Sequence, residues 1–350
     1  MTPKISVIMP VRDGARWLGK AITSLQNQTL SEFELIVIDD GSADESPRII
    51  EEHSRRDPRI RSIRQERLGL VSALNCGLTD SRGPLIARLD ADDLAHPQRL
   101  QRQSQYLDSH PDVGLLGTWA EKINEQGFIT GVFEPPTRPE KLAPLLLRMN
   151  PFLHSSIMFR KSILQNIGYY RPVFEGAEDY DMLIRMSEVT KVANLPECLL
   201  QYRVHAASVT HRARVRQLFS VRLAQRAAQA RRNNARDPIF ELTSPPNWQA
   251  TEALDSPIFG ELTKLFRLLD LADSSKIAGT NGNPVDISAL NDRNVVLNHA
   301  ERRMAQLALL NMLKQRMALP NASLAVLLWH FLRLHPLRAI QLVWRTLWKN

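Results

Sequence analysis

Four short β-rich runs, at residues 5–11, 34–39, 59–64 and 84–90, alternate with stretches at 15–27, 43–56 and 69–82 in which Leu, Ile and Ala recur at helical spacing. That alternation constrains the fold more than any other feature, because strand, crossover helix and next parallel strand join with one handedness. It predicts an α/β domain around a mainly parallel sheet, and such sheets bind ligands beyond the carboxyl ends of their strands. Downstream, 96–109 reads as a helix, 113–119 as a strand, and FITGVF (128–133) as part of a hairpin. HSSIMF (154–159) reads as a later strand and 177–188 as a helix opening with acids. Past about residue 206 helical periodicity dominates, broken by loops at 237–247 and 273–286. The expected division is an α/β domain over 1–210 and a helical region over 211–350.

At 350 residues the chain is longer than one usual domain, and 43% apolar with 23% charged residues describes a folded rather than a disordered protein. Cys76 and Cys198 stand alone, which supports neither a zinc ribbon nor a disulfide scaffold and fits a reducing cytosol. The first apolar run is closed by Pro10 and is too short for a signal segment or a membrane span. The net charge of +8 equals the eight arginines and no acid of residues 212–236. A solvated basic helix and an anionic membrane surface both fit that segment. Nucleic acid fits it poorly, since Phe219 is the single aromatic there for base stacking.

Acids gather at three places. In VIDDGSADES, Asp39 and Asp40 end a buried strand before a Gly41-Ser42 turn, where they serve either as turn and cap residues or as acceptors for a nucleobase or ribose. In ARLDADDLAHPQRL, Asp90, Asp92 and Asp93 crowd together after a strand, and mutual repulsion becomes affinity when a hard divalent cation sits among their oxygens. In FEGAEDYDMLIRM, Glu178, Asp179 and Asp181 open a helix, where the macrodipole favours negative charge and a carboxylate could also take a proton from an acceptor hydroxyl. Arg203 and His205 share one side of a strand and could engage a diphosphate or a metal.

ISVIMPVRDG, ELIVIDDGSADES, LGLVSALNCGL, RGPLIARLDADDLAHPQRL, HSSIMFRK, EDYDMLIR and YRVHAASVT occur in an order and at spacings that resemble the family 2 nucleotide-sugar glycosyltransferases of the GT-A fold. The match runs over roughly residues 3–211. The resemblance implies a nucleotide-sandwich α/β domain and a sugar donor linked to UDP, GDP or TDP. It also implies Mg²⁺ or Mn²⁺, a glycan or lipid-linked acceptor, and inversion at the anomeric carbon. By position it places Pro10, Val11 and Asp13 in the nucleotide pocket, Asp40 on the base, Asp90 near the ribose and Asp92 on the metal. It places Asp179 as the base with Glu178 beside it, and His205 near the metal or diphosphate. Surface polysaccharide or lipopolysaccharide assembly is the family's commonest setting.

Two departures qualify the likeness. Arg12-Asp13 stands where many members carry an aromatic followed by Asn, which leaves the base contacts open. No QxxRW follows the acidic pair, so the processive synthases are excluded. The absence of GxGxxG after the first strand excludes a dinucleotide dehydrogenase. An inactive scaffold of the same fold and a sugar-phosphate nucleotidyltransferase remain as alternatives. At the C-terminus, ASLAVLLWHFL (322–332) is shorter than the roughly 20 residues of a spanning helix. Ile340, Val343, Trp344, Leu347 and Trp348 oppose Arg338, Gln341, Arg345 and Lys349, which predicts a helix that lies in a membrane interface or closes the C-terminal core. The expected location is cytoplasmic, with peripheral attachment to the inner membrane face left open.

Overall fold

The computed structural model describes residues 2–205 and 214–240, with 242, 244, 266 and 305. The chain divides into two compact units, residues 1–213 with 223–245, and residues 214–222 with 246–350. The helix calls at 322–332 and 338–349 lie outside the described residues, as does the loop at 273–286. In the second unit Phe219 meets Phe266 edge-on, with ring centroids 5.2 Å apart.

Strands β1 (Ile5–Val11), β2 (Phe33–Asp40), β3 (Ile60–Gln65) and β4 (Leu85–Arg88) alternate with helices α1 (Ala15–Gln26), α2 (Ser46–Arg56) and α3 (Leu70–Asp80). They pair in parallel in the order β3-β2-β1-β4, as the alternation requires. β1 and β2 are buried along their whole length, which is why both read as unbroken apolar runs. Helix α3 approaches closely at Gly77, where an added Cβ would meet Ile8 and Ile38 at 2.6 and 2.9 Å.

The sheet continues through β8 (Met158–Arg160), β6 (Val113–Ile123), β9 (Lys191–Arg203) and the two-residue β5 (Leu94–Ala95), while β7 (Ile129–Phe133) pairs with β6 as a hairpin. Strands β5, β7 and β8 run antiparallel to their neighbours, so the sheet is mixed beyond β4. Helices α4 (Arg99–Ser109), α5 (Pro139–Leu146), α6 (Leu164–Ile167), α7 (Glu178–Val189) and α8 (Arg214–Arg232) complete the described elements. HSSIMF differs from its expected strand. Residues His154–Ser156 form a 3₁₀ turn, and the strand begins only at Met158. The helix expected from residue 96 starts at Arg99, since Leu94–Ala95 pairs with β9, His96 N–H donates to Leu199 O at 3.0 Å, and Pro97 disfavours the helical conformation at His96. Among the described residues no helix is long and apolar enough to cross a membrane.

Candidate functional site

The carboxyl ends of β1, β2, β4 and β9 carry the sequence-predicted residues. Pro10 and Val11 end β1 in register with Ile38 and Asp39, so Val11 and Asp39 lie side by side at the sheet edge. The chain then turns at Asp13, whose φ of 50° is the left-handed conformation that Asp tolerates better than most residues. The β1–α1 and β2–α2 loops are stitched together. The N–H groups of Asp13, Gly14 and Ala15 donate to Ser42 Oγ, Ser46 Oγ and Asp44 Oδ2 at 2.9, 3.0 and 2.9 Å, and Ala43 N–H donates to Asp13 Oδ1 at 2.8 Å. DGSADES thus caps the start of α1 from across the site, satisfying N–H groups that a helix leaves open.

Asp39 and Asp40 differ in what their oxygens do. Asp40 accepts from Gln65 Nε2 at 2.7 Å, Leu68 N at 2.8 Å and Gly69 N at 3.1 Å, and so holds the β3–α3 loop. Asp39 accepts from Ser42 N through Oδ1 at 2.9 Å. Its buried Oδ2 has no hydrogen-bond partner among the described residues, with Arg64 Nε 3.5 Å away. Apart from that ion pair, Asp39 Oδ2 keeps its hydrogen-bond accepting capacity unused among the described residues.

Beyond β4, the carboxylates of Asp90, Asp92 and Asp93 each place an oxygen within 4.8 Å of the others. Asp90 is gripped by Arg88 Nη2 through Oδ1 and by Ser155 Oγ through Oδ2 at 3.0 Å. Asp92 Oδ2 lies 2.8 Å from His205 Nε2, and the His205 ring packs on Trp17 with centroids 4.5 Å apart. Asp93 is wholly buried, accepts from Arg203 N–H at 2.8 Å, and has an unpartnered Oδ2. Burial first and Asp90 second push the Asp92 carboxyl upward, and burial, Asp90 and Asp92 push Asp93 well above the usual carboxylate range.

These groups fit a hard divalent cation. Adjacent ligands of an octahedral Mg²⁺ lie about 3 Å apart, close to the Asp92–His205 separation, and oxygen and imidazole donors suit Mg²⁺ or Mn²⁺. Among the described residues, the buried atoms Asp93 Oδ2 and His205 Nδ1 have no hydrogen-bond partner, which marks polarity that these protein groups do not satisfy.

Arg203, expected to engage a diphosphate or a metal, has a structural task as well. Its Nε donates to Asp92 O and its Nη1 to Asn124 O, each at 2.8 Å, so the guanidinium fixes the main chain at Asp92. Beneath the acidic loop, buried Arg99 donates to Arg88 O at 2.8 Å and to Gln103 Oε1 at 3.1 Å. Burial, with Arg88 adding to it against the pull of Asp93, lowers the Arg99 pKa to about 9.

Glu178 and Asp179 open α7 on the far side of Asp90. Glu178 accepts from Gly176 N at 2.7 Å, and burial followed by the Asp179 charge raises its pKa to about 7. Asp179 accepts from Tyr180 N at 2.7 Å and from Asn150 Nδ2 at 3.1 Å. Its pKa is raised by burial and by Asp90, with Tyr180 N and Arg88 opposing. Asp181, from the same acidic run, faces away into a buried pair with Arg171 and Arg185 and anchors the helix. Beside the pair, His154 Nε2 lies 2.8 Å from the Tyr170 hydroxyl. Sequence reasoning passed over Asn150, Ser155, Trp17 and Arg99. The quoted HSSIMFRK run and the Arg99/Gln103 spacing on α4 were the available signals.

A family model described as glycosyl transferase family 2 matches residues 6–168. The O-antigen biosynthesis glycosyltransferase WbnJ of Escherichia coli is 35% identical over 208 residues, covering 58% of this chain and 81% of that protein. An uncharacterized glycosyltransferase of Methanocaldococcus jannaschii is 33% identical over 207 residues, covering 58% of this chain and 71% of that protein. Among solved structures, S. aureus TarS 1-349 in complex with UDP-GlcNAc aligns with a TM-score of 0.55 and 17% identity, covering 97% of this chain and 88% of that one. The mannosyltransferase PcManGT of Pyrobaculum calidifontis, in complex with GDP-Man and Mn²⁺, aligns with a TM-score of 0.52 and 16% identity, covering 100% and 88%. At those identities the structural likeness establishes the GT-A fold.

Proposed function

The chain belongs to glycosyltransferase family 2, and on that premise we propose that it moves one sugar from a nucleoside diphosphate donor to an acceptor hydroxyl with inversion. The observation that carries this reading is the placement of two carboxylate groups at one end of the sheet. Asp90, Asp92 and Asp93 form one, and Glu178–Asp179 forms the other, near enough that the Asp90 charge raises the Asp179 pKa.

In this reading Pro10, Val11 and Asp13 wall the nucleoside pocket, Asp39 Oδ2 accepts an N–H of the base, Asp40 braces the adjoining loop, and Asp90 faces the ribose. Asp92 and His205 hold Mg²⁺ or Mn²⁺, which when bound supplies Lewis-acid stabilisation of the leaving diphosphate. Asp179 removes the proton of the acceptor hydroxyl as that oxygen bonds to the anomeric carbon and the carbon–oxygen bond to the diphosphate breaks. Glu178, with its pKa near 7, stays partly protonated and limits the charge beside the base. Relatives named for O-antigen and amylovoran biosynthesis support a role in surface polysaccharide synthesis. The setting proposed with it is a glycan or lipid-linked acceptor on the cytoplasmic side of a membrane; within 212–236, Arg231 pairs with Glu188 and Asp237 and does not offer its charge to an anionic surface.

The test is incubation with UDP-, GDP- and TDP-sugars plus Mn²⁺, following nucleotide release. One donor is expected to react, and Asp179→Asn is expected to bind its nucleotide within a few-fold of wild type while transfer falls about 10²-fold or more. Transfer at the wild-type rate in that variant removes Asp179 from the base role. No release from any donor refutes the transferase reading of this chain.

A further inference from the structure

One short segment touches both carboxylate groups. Ser155 Oγ accepts from Asp90 N at 3.0 Å and from Arg88 Nη1 at 2.8 Å, and donates to Asp90 Oδ2 at 3.0 Å. Five residues earlier, Asn150 donates from Nδ2 to Asp179 Oδ2 at 3.1 Å and accepts from Phe152 N through Oδ1 at 3.0 Å. Ser156, next to Ser155, donates from both N and Oγ to Leu153 O at 2.8 Å, which closes the 3₁₀ turn. The turn is anchored beyond Ser156 as well, because Gln103 Nε2 donates to Ser156 O at 2.9 Å and Arg99 Nη2 to Ile157 O at 3.2 Å. Ser155 and Ser156 are buried, and the strand that follows is locked between β4 and β6. Neither end of the segment is therefore free to move without the other.

We propose that residues 150–156 form a clamp that fixes the spacing between the donor-side carboxylate Asp90 and the acceptor-side carboxylate Asp179, with Ser155 and Asn150 as its two positioning residues. A single displacement needs the acceptor oxygen and the leaving diphosphate in line on opposite faces of one carbon, so the distance between the groups that hold them is a catalytic quantity. The segment replaces what would otherwise be repulsion. Asp179 faces Glu178 on its own helix, Asp90 and Arg88 at the end of β4, and the Tyr170 hydroxyl, and of these Arg88 alone is a cation. The Asn150 amide adds a neutral donor to the carboxylate, favouring its ionised form.

This inference rests on the transferase reading, so its test has one arm that needs no turnover. Asn150→Asp keeps an oxygen for Phe152 N but loses the donor to Asp179, so a loop-shaping role alone leaves that variant like wild type. The clamp instead requires Asn150→Asp to melt several degrees below wild type at pH 8, with the deficit shrinking at pH 5. Adding Asp179→Asn, which restores the hydrogen bond with donor and acceptor exchanged, should recover most of the loss. Equal melting of Asn150→Asp and wild type at both pH values, or no recovery in the double variant, overturns the contact.

In the same arm Ser155→Ala is expected to weaken UDP binding with Mn²⁺ about tenfold by calorimetry, and Asn150→Asp to leave it within twofold. With an active donor in hand, Asn150→Asp should lower kcat about tenfold or more and move the acid limb of its pH profile up by about one unit. Ser155→Ala should raise donor KM and, through the shared spacing, lower kcat as well. A wild-type kcat in either variant, or effects on melting alone, overturns the clamp. Absence of turnover in wild type with every donor tells against the transferase reading, and the melting and UDP-binding measurements still decide whether the segment holds Asp179 and Asp90.

Discussion

Replacing Glu178 with Gln separates the paired carboxylates of α7 by their response to pH. Glu178 is 6% exposed, and burial together with the neighbouring Asp179 raises its pKa from an ordinary 4.5 to about 7. The native state therefore keeps a proton that the unfolded chain releases between those values. For a carboxyl raised in this way the effect on stability is nil below pH 4.5, becomes a growing penalty as pH rises, and is constant above about 7. At about 1.4 kcal/mol per pKa unit the full penalty approaches about 3 kcal/mol. Gln has nearly the same shape, can still accept from Gly176 N, and has no charge to bury. Urea unfolding of wild type and Glu178→Gln from pH 5 to 8.5 should give a difference curve in which wild type loses ground up to about pH 7 and then holds level. Asp92, Asp93 and Asp179 titrate in both proteins, so the subtraction removes most of their contribution. Parallel stability curves, or a wild type that gains on the variant as pH rises, would show that Glu178 is ionised in the native state and that its partnership with Asp179 has been misread.

Asp92→Asn should abolish the Mn²⁺ enhancement of UDP binding measured by calorimetry, because it removes a coordinating charge from a hard-oxygen site; a retained enhancement takes Asp92 out of that site. Asp39→Asn should weaken UDP binding about tenfold and cost about 1 kcal/mol of stability or less, since its Oδ2 accepts no hydrogen bond among the described residues and its ion pair is with the exposed Arg64. Asp40→Asn should do the reverse, costing about 1–3 kcal/mol of stability by turning an amide N–H toward the donors of Gln65, Leu68 and Gly69. Affinity loss confined to the Asp40 variant would reassign the base contact.

The parallel half of the sheet was legible because β1 and β2 are buried on both faces and helices of ordinary length separate them. The eye finds such runs without tertiary information. HSSIMF reads as one strand although its three polar letters form a turn and only its apolar ones lead into the strand, and Ser155 in that turn is held by Asp90 and Arg88, 65 and 67 residues away in the chain. Asp39 and Asp40 look equivalent in the sequence. Only the fold of the 65–69 loop over β2 shows that one carboxylate is occupied and the other retains a bare oxygen.

The same asymmetry applies to charge. ARLDADDLAHPQRL displays its three acids, and also contains the two arginines that lie beneath them, but nothing in the letters says that Arg88 and Arg99 are buried. Three guanidiniums, Arg88, Arg99 and Arg203, act on these three acids, and burial with mutual repulsion still pushes Asp92 upward and Asp93 well above the usual carboxylate range. Burying that many like charges is costly unless cations divide them. The arginines lower that cost, and the raised Asp92 and Asp93 carboxyls show that they do not remove it. On the proposed function, a divalent cation at Asp92 arriving with a diphosphate would complete the neutralisation and couple affinity for the ion to affinity for the nucleotide. Arg88 and Arg99 would then set how strongly the acidic loop draws that cation.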